Sequence, residues 1–286
     1  MTRLIVGCGY LGQRVARRWL AASERVLAVT RSPERAESLR SQGLEPLVAD
    51  VTRPETLGRL PEAQTVLYAV GHDPRSGLSR HEVYAQGLRN VLDALPGSTG
   101  RIVFTSSTGI YGDAHGDWVD EDSPCQPNRE SGRAMLAGEE VLRSHPLGSR
   151  GIVLRLAGLY GPGRITRLGD LLAGRPITAS ATGYVNLIHV DDAAEVVLAA
   201  AALAPVPRTY VVSDGQPVTR QEFYDYLATL LGRDRPSFVD PTPEARAASR
   251  SSGEKRLRNR RMLDELGVKL TYPSYREGLA AVMHGL

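Results

Sequence analysis

The chain has 286 residues, 42% apolar and 23% charged, with a formal net charge of +3. This is the profile of a globular protein with one large domain, or a core with a smaller lobe, and the charge is too small for a nucleic-acid binder. Only two cysteines are present, Cys8 and Cys125, with no Cys-x-x-Cys pair or Cys/His cluster, so neither a metal site nor a disulfide framework is expected. No apolar run reaches the roughly 18 residues of a membrane span. The best candidate, 193–204, is short and contains Glu195. No signal peptide is read at the N-terminus, where residues 3–6 already form a strand pattern, and a cytoplasmic location is expected.

Residues 3–7, RLIVG, read as a short buried strand. The segment after it places Leu11, Val15 and Trp19 at steps of four, with Leu20 beside them, which is one helix face. A second strand is expected over 25–30. Ser32 followed by Pro33 is a helix start, a hydroxyl cap and then proline at the first helical position, and Gly43 is the stop. Strands follow at 45–50 and 65–71, a helix at 80–95, and strands at 101–107 and 151–158. Strands of mostly Val, Ile and Leu are buried on both faces, as in parallel sheets. The alternation predicts an α/β fold, a Rossmann-type doubly wound parallel sheet over residues 1–158. Residues 159–286 have shorter elements rich in Gly, Pro and Arg. They are expected to form mainly a small C-terminal α/β substrate lobe, with segments returning to the core.

Residues 7–12, GCGYLG, match Gly-x-Gly-x-x-Gly between the first strand and the first helix. Gly7 permits the tight turn, Gly9 a close approach to a pyrophosphate, and Gly12 close helix–strand packing. Tyr10 and Leu11 bring the chain to the helix N-terminus, whose N–H groups and dipole favour anions. An acidic residue ending the second strand would bind a ribose 2′-hydroxyl. Here the sequence is Thr30-Arg31-Ser32. A guanidinium and a hydroxyl suit a 2′-phosphate, so NADP(H) is favoured over NAD(H). The alternative is that Arg31 is a solvated charge and Ser32 only a helix cap. Cys8 is either a thiol with a lowered pKa or a small side chain under the pyrophosphate.

The stretch FTSSTGIYG (104–112) resembles the Ser-Ser-x-x-Val-Tyr-Gly segment of the extended short-chain dehydrogenase/reductases, the NAD(P)-dependent epimerase/dehydratase proteins. Further matches keep the family's order. Asp50-Val51 resembles the acidic pair beside the adenine, and Ala69-Val70-Gly71 the small-residue turn after strand four. The segments 154–164, 186–197 and 272–282 follow suit. The resemblance is closest to an atypical branch described as nucleoside-diphosphate-sugar epimerase-like. It implies that Ser107 holds the substrate oxygen, and it calls for a Tyr and, four residues on, a Lys. The Tyr exchanges a proton, and the Lys lowers its pKa from about 10. Aligning Glu139-Glu140-Val141-Leu142 with the end of that helix puts Ser131 at the Tyr position and Met135 at the Lys position.

Two readings of that missing dyad stay open. One is an oxidoreductase or epimerase/dehydratase-like enzyme acting on a carbonyl or sugar-type small molecule, with a relocated acid: Tyr111, Tyr160, or His189 with Asp191. The plainer alternatives are that Tyr111 packs under its turn, that His189 bonds a loop or helix start, and that Asp191 or Asp192 caps the next helix. The other reading is a non-catalytic NADP(H)-binding sensor. The basic stretch 246–261 is a solvated loop leading to a helix near Asn259, or it holds an anionic substrate; nucleic acid is not the expected partner. The resemblance also implies a homodimer through helix 80–95.

Overall fold

The computed structural model describes residues 1–242 and 254–284. Five strands in the first part of the chain are β1 (Thr2–Val6), β2 (Arg25–Thr30), β3 (Glu45–Val48), β4 (Thr65–Tyr68) and β5 (Arg101–Ser107). With Gly151–Leu156 and Arg208–Val212 they make one seven-stranded sheet. Its order is Arg208–Val212, Gly151–Leu156, β5, β4, β1, β2, β3. The pairs β1–β2, β1–β4, β2–β3 and β4–β5 are parallel. The order reverses between β1 and β4, the switch point at which doubly wound sheets bind ligands. Val6 is level with Val29 and Tyr68, and Tyr68 with Phe104, so β1, β2 and β4 end within one residue of each other while β5 runs three residues further, to Ser107.

The connecting helices follow from the sequence pattern. Helix α1 (Gly12–Ala21) buries Val15, Ala16 and Trp19. Helix α2 (Pro33–Arg40) starts at Ser32, whose Oγ accepts the Arg35 N–H at 3.0 Å. A short α3 (Pro54–Leu57) precedes β4. The helix expected over 80–95 differs in its first turns: Glu82–Gln86 are π-helical, and α4 proper is Gly87–Ala94. The Tyr68 hydroxyl donates to the Val83 carbonyl at 2.7 Å, and the Gly87 N–H reaches back five residues to Glu82. A side chain bonded into a helical ladder is a known cause of such a bulge. Helix α5 (Glu130–Ser144) covers β5, and Leu88, Val91 and Leu92 of α4 join Leu142 of α5 over Val66, Tyr68, Ile102 and Phe104 of the sheet.

The chain divides into two compact units. The first comprises Met1–Ser107, Glu130–Arg155 and Ala194–Tyr210; the second comprises Thr108–Arg129, Leu156–Ala193 and Val211–Leu286. Ala194–Tyr210 joins the first unit, as a segment returning from beyond residue 158, while Thr108–Arg129 lies in the second, on the other side of the expected boundary. Thr108–Arg129 belongs with the second unit because its two-residue strand Trp118–Val119 pairs with Arg256–Leu257, a contact with no periodic signature. Within the second unit, Gly158–Tyr160 pairs with Leu187–His189, and Tyr184–Val185 pairs with Val218–Thr219. Thr219 and Glu222 form a capping box on the helix Arg220–Leu230. Its core gathers Tyr160, Leu187, Phe223, Leu227, Tyr275 and Leu279. Among the described residues no helix is long and apolar enough to cross a membrane.

Candidate active site

The glycine turn is built as its spacing requires. Gly7 has φ +92°, and a Cβ there would stand 2.6 Å from the Ala69 carbonyl and the Val70 nitrogen. Only glycine lets this turn lie against the end of β4. A Cβ at Gly12 would be 2.6 Å from the Gly7 carbonyl oxygen and 3.3 Å from Ile5 Cγ2, so α1 seats directly on β1. Gly9 is exposed, and a Cβ there would meet no protein atom within 4 Å. Gly7 and Gly12 thus close the backbone on itself, while Gly9 leaves one side approachable. No side chain caps α1 at Leu11, which is buried. Tyr10 is half-buried under the Arg14 guanidinium, 4.3 Å from its ring centroid.

A cleft of about 320 Å³ opens above this turn in the first unit. Gly7, Cys8 and Gly9 form its floor. Thr30, Arg31 and Arg35 stand at the end of β2, Asp50, Val51 and Thr52 after β3, and Ala69, Val70 and Gly71 after β4. Of the residues expected at the cofactor, Tyr10, Leu11, Gly12 and Ser32 do not line it. The Ser32 hydroxyl is engaged as a cap and donates to Glu34 Oε2 at 2.6 Å. Arg35, which sequence reasoning missed, does line it, and its Nη2 donates to the Cys8 carbonyl at 3.2 Å. The available signal was its place at the third position of α2, close behind Arg31. Asp50 Oδ1 accepts the Thr52 N–H at 2.9 Å and the Thr52 hydroxyl at 2.8 Å, which fixes the carboxylate on the cleft wall. Burial pushes the Cys8 thiol up to about 11, against the pull of Arg35 and Arg17. Cys8 is therefore a small neutral side chain here, not a thiolate.

Ser107 is half-buried at the carboxyl end of β5. Its neighbour Ser106 points to the other face, where its Oγ donates to Glu139 Oε1 at 2.6 Å. Arg155 donates to the same carboxylate through Nε (3.1 Å) and Nη2 (2.9 Å), with Glu139 fully buried. This network, also missed in the sequence, ties α5 to β5 and to the strand Gly151–Leu156. Ser131 and Met135 both lie on α5, and Met135 packs against the apolar core of the first unit. Met135 is an apolar filler in that helix.

The other sequence candidates lie in the second unit. Tyr111 ends the turn Thr108–Tyr111 and is 3% exposed. Tyr160 is equally buried, and its hydroxyl donates to the Ser274 carbonyl at 3.3 Å. Burial raises the Tyr160 pKa far above the ordinary phenol value, with Asp214 and Asp192 adding to it. His189 is buried against Tyr272, ring centroids 4.0 Å apart, and Nδ1 accepts the Asp191 N–H at 3.3 Å. Asp191 and Asp192 fall in the first turn of the helix Val190–Leu203 instead of capping it. Asp192 accepts the Thr271 and Tyr272 N–H groups at 2.8 and 2.9 Å, which makes it a loop anchor.

Residues 246–253 of the basic stretch lie outside the described residues. Its remainder is no solvated loop: Arg256–Leu257 is a strand, Arg256 and Arg258 stack over Trp118 at 5.1 and 5.6 Å, and Arg261 pairs with Asp122 at 2.6 Å. Asn259 leaves the following helix uncapped and donates to the Ser213 carbonyl at 2.7 Å.

Asp214 is an unusual carboxylate among the described residues of this unit. It is 6% exposed, Oδ1 accepts the Gln216 N–H at 2.9 Å, and Oδ2 is buried with no hydrogen-bond partner. Burial pushes its carboxyl up to about 7, with Asp192 and Glu277 as nearby like charges. Between an unfolded value of about 3.9 and this raised value, the folded state holds a proton that the unfolded chain has lost. Stability therefore falls as pH rises through that window, and the full cost persists above it. Asp214→Asn is expected to stabilise the protein by about 2–4 kcal/mol at pH 8 and to have little effect at pH 4. Urea unfolding at both pH values tests this; an equal effect at the two would contradict it.

Residues 4–213 match the NAD dependent epimerase/dehydratase family. The chain belongs to that family. It is 33% identical over 279 residues to the protein YeeZ of Escherichia coli strain K12, covering 94% of this chain and 95% of that one. A functionally unknown conserved protein from Silicibacter pomeroyi has the same fold with a TM-score of 0.79 and 31% identity, over 99% and 98% of the two chains. At 22% identity, dTDP-glucose 4,6-dehydratase from Streptomyces venezuelae, solved with NAD bound, shares the fold with a TM-score of 0.82 over 99% and 96% of the chains. This family member is an extended short-chain dehydrogenase/reductase of Rossmann type, NAD(P)-binding and epimerase/dehydratase-like. The glycine cradle and the cleft above it fit that cofactor.

Proposed function

We propose that this chain is an NADP(H)-dependent oxidoreductase or epimerase/dehydratase-like enzyme acting on a carbonyl or sugar-type substrate. The observation that carries the cofactor choice is the end of β2. Arg31 and Arg35 both line the cleft, and Thr30-Arg31-Ser32 contains no carboxylate to receive a ribose 2′-hydroxyl. Two guanidiniums suit a 2′-phosphate, which they can bind with charge-assisted, bidentate hydrogen bonds. The bound cofactor supplies or accepts hydride. Ser107, at the carboxyl end of β5, orients the substrate oxygen. Tyr111 is the phenol that exchanges the proton; it is as buried as Tyr160, and the choice rests on its place in the turn directly after Ser107. Arg31→Ala and Arg35→Ala are each expected to weaken NADPH about 10- to 100-fold while changing NADH little. Equal losses for both cofactors would sink the 2′-phosphate assignment.

A sensor that binds NADP(H) without turning it over is the second reading. It is favoured by α5, where Met135 offers no cation. Incubation with NADPH or NADP⁺ and a panel of aldehydes, ketones and nucleoside-diphosphate sugars, read by cofactor absorbance and by product analysis, separates the two. Cofactor turnover or substrate conversion that is lost in Tyr111→Phe supports the enzyme; neither across the panel supports the sensor.

A further inference from the structure

Of the 35 basic residues of the chain, only Lys255 and Lys269 are lysine. Lys269 is exposed, but Lys255 is 7% exposed. Elsewhere the chain buries arginine, as at Arg155 and Arg220, where a forked head serves several acceptors. At 255 a compact ammonium donates to the Gly112 carbonyl at 3.0 Å.

Gly112 closes the turn that carries Tyr111, and its backbone has little freedom. Its φ is +67°, a Cβ would collide with the Gln126 carbonyl, and its N–H bonds to the Gly109 carbonyl at 3.4 Å. The main chain around Lys255 is held without the lysine side chain. The Glu254 carbonyl accepts the Ala114 and Gly116 N–H groups at 2.9 and 3.1 Å. Asn186 donates to the Lys255 carbonyl and accepts the Leu257 N–H, both at 2.9 Å. The Lys255 side chain is thus not needed to seat its own segment, and its reach to Gly112 is a separate link.

We propose that Lys255 is a positioning residue, whose buried ammonium pins the Tyr111–Gly112 turn through the Gly112 carbonyl. The catalytic consequence rests on the Tyr111 reading above; the pin itself does not. Burial lowers the Lys255 pKa to about 8; Arg129 lowers it further, and Asp113 opposes both. The hydrogen bond is charge-assisted below that value and an ordinary, weaker one above it. The turn therefore loosens as pH rises through about 8.

With two lysines in the chain, ε-¹³C-lysine labelling gives two side-chain signals, and Lys255→Arg assigns them. The expected result is a Lys255 midpoint near 8, well below that of Lys269. Hydrogen exchange of the peptide spanning 108–119, corrected for intrinsic rate, is expected to speed up on the order of tenfold through the same midpoint. Lys255→Arg should keep protection at all pH values, and Lys255→Met should lack it at all. NADPH affinity should be unchanged in both variants, because the cleft lies in the first unit. A Lys255 midpoint near the ordinary lysine value, or pH-independent exchange in the native chain, would overturn the proposal. If Tyr111→Phe leaves turnover intact while the exchange results hold, the Tyr111 reading fails and the pin stands.

Discussion

Replacing Glu139 by alanine is expected to destabilise the protein by about 3–5 kcal/mol. Glu139 is fully buried and accepts hydrogen bonds from Ser106 Oγ and from two nitrogens of Arg155, itself 5% exposed. Truncation removes the carboxylate but leaves the guanidinium buried, which is the costly way to break such a pair. Glu139→Gln keeps the shape and two acceptor contacts while losing the charge, so its loss should be smaller. The effect is also expected at the site, because the network fixes the end of β5 where Ser107 sits. Urea unfolding of both variants checks the first part, and a loss under about 1 kcal/mol for the alanine variant would show the network to be incidental.

Two glycine substitutions in the turn are expected to separate folding from cofactor binding. Gly7→Ala asks an alanine to adopt φ +92° and places a methyl 2.6 Å from three backbone atoms of Ala69 and Val70. Strain of that conformation alone is about 1–3 kcal/mol, and the collision must move the end of β4. The melting temperature and NADPH affinity should both fall. Gly9→Ala meets no protein atom within 4 Å, so its melting temperature should stay within error of the native value. Its NADPH affinity should still fall by tenfold or more, because the new methyl occupies the side from which a pyrophosphate approaches the backbone. Unchanged affinity in Gly9→Ala would mean that the turn is a structural device and not a cradle.

The parts of the fold visible in the sequence are those with a repeating physical signal. The apolar runs at 25–30 and 101–107 are observed as β2 and β5 with the same limits. Ser32-Pro33 starts a helix as a hydroxyl followed by proline should. What escaped the reading depends on contacts between distant residues. The π turn at Glu82–Gln86 involves a hydroxyl from Tyr68, and the strand Arg256–Leu257 exists only through its partner Trp118–Val119. The same holds for the site. Gly7, Gly9 and Arg31 line the cleft and sit in a local motif, whereas Arg35 joins them only because α2 turns its third residue toward Cys8. Glu139 and Arg155 are 16 residues apart, on a helix and a strand, and no spacing rule links them. Tyr160 bonds the Ser274 carbonyl 114 residues away, a contact that a motif alone could not place.

The proposed function has the cleft at the end of β2 receive a 2′-phosphate. Titration calorimetry of the native chain with NADPH and with NADH, at one pH and ionic strength, is the test of it. The expected result is NADPH binding at least tenfold tighter, with the difference shrinking as salt is raised. NADH binding as tightly as NADPH would contradict it, and would leave Arg31 and Arg35 as surface charges beside a cleft that does not read the phosphate.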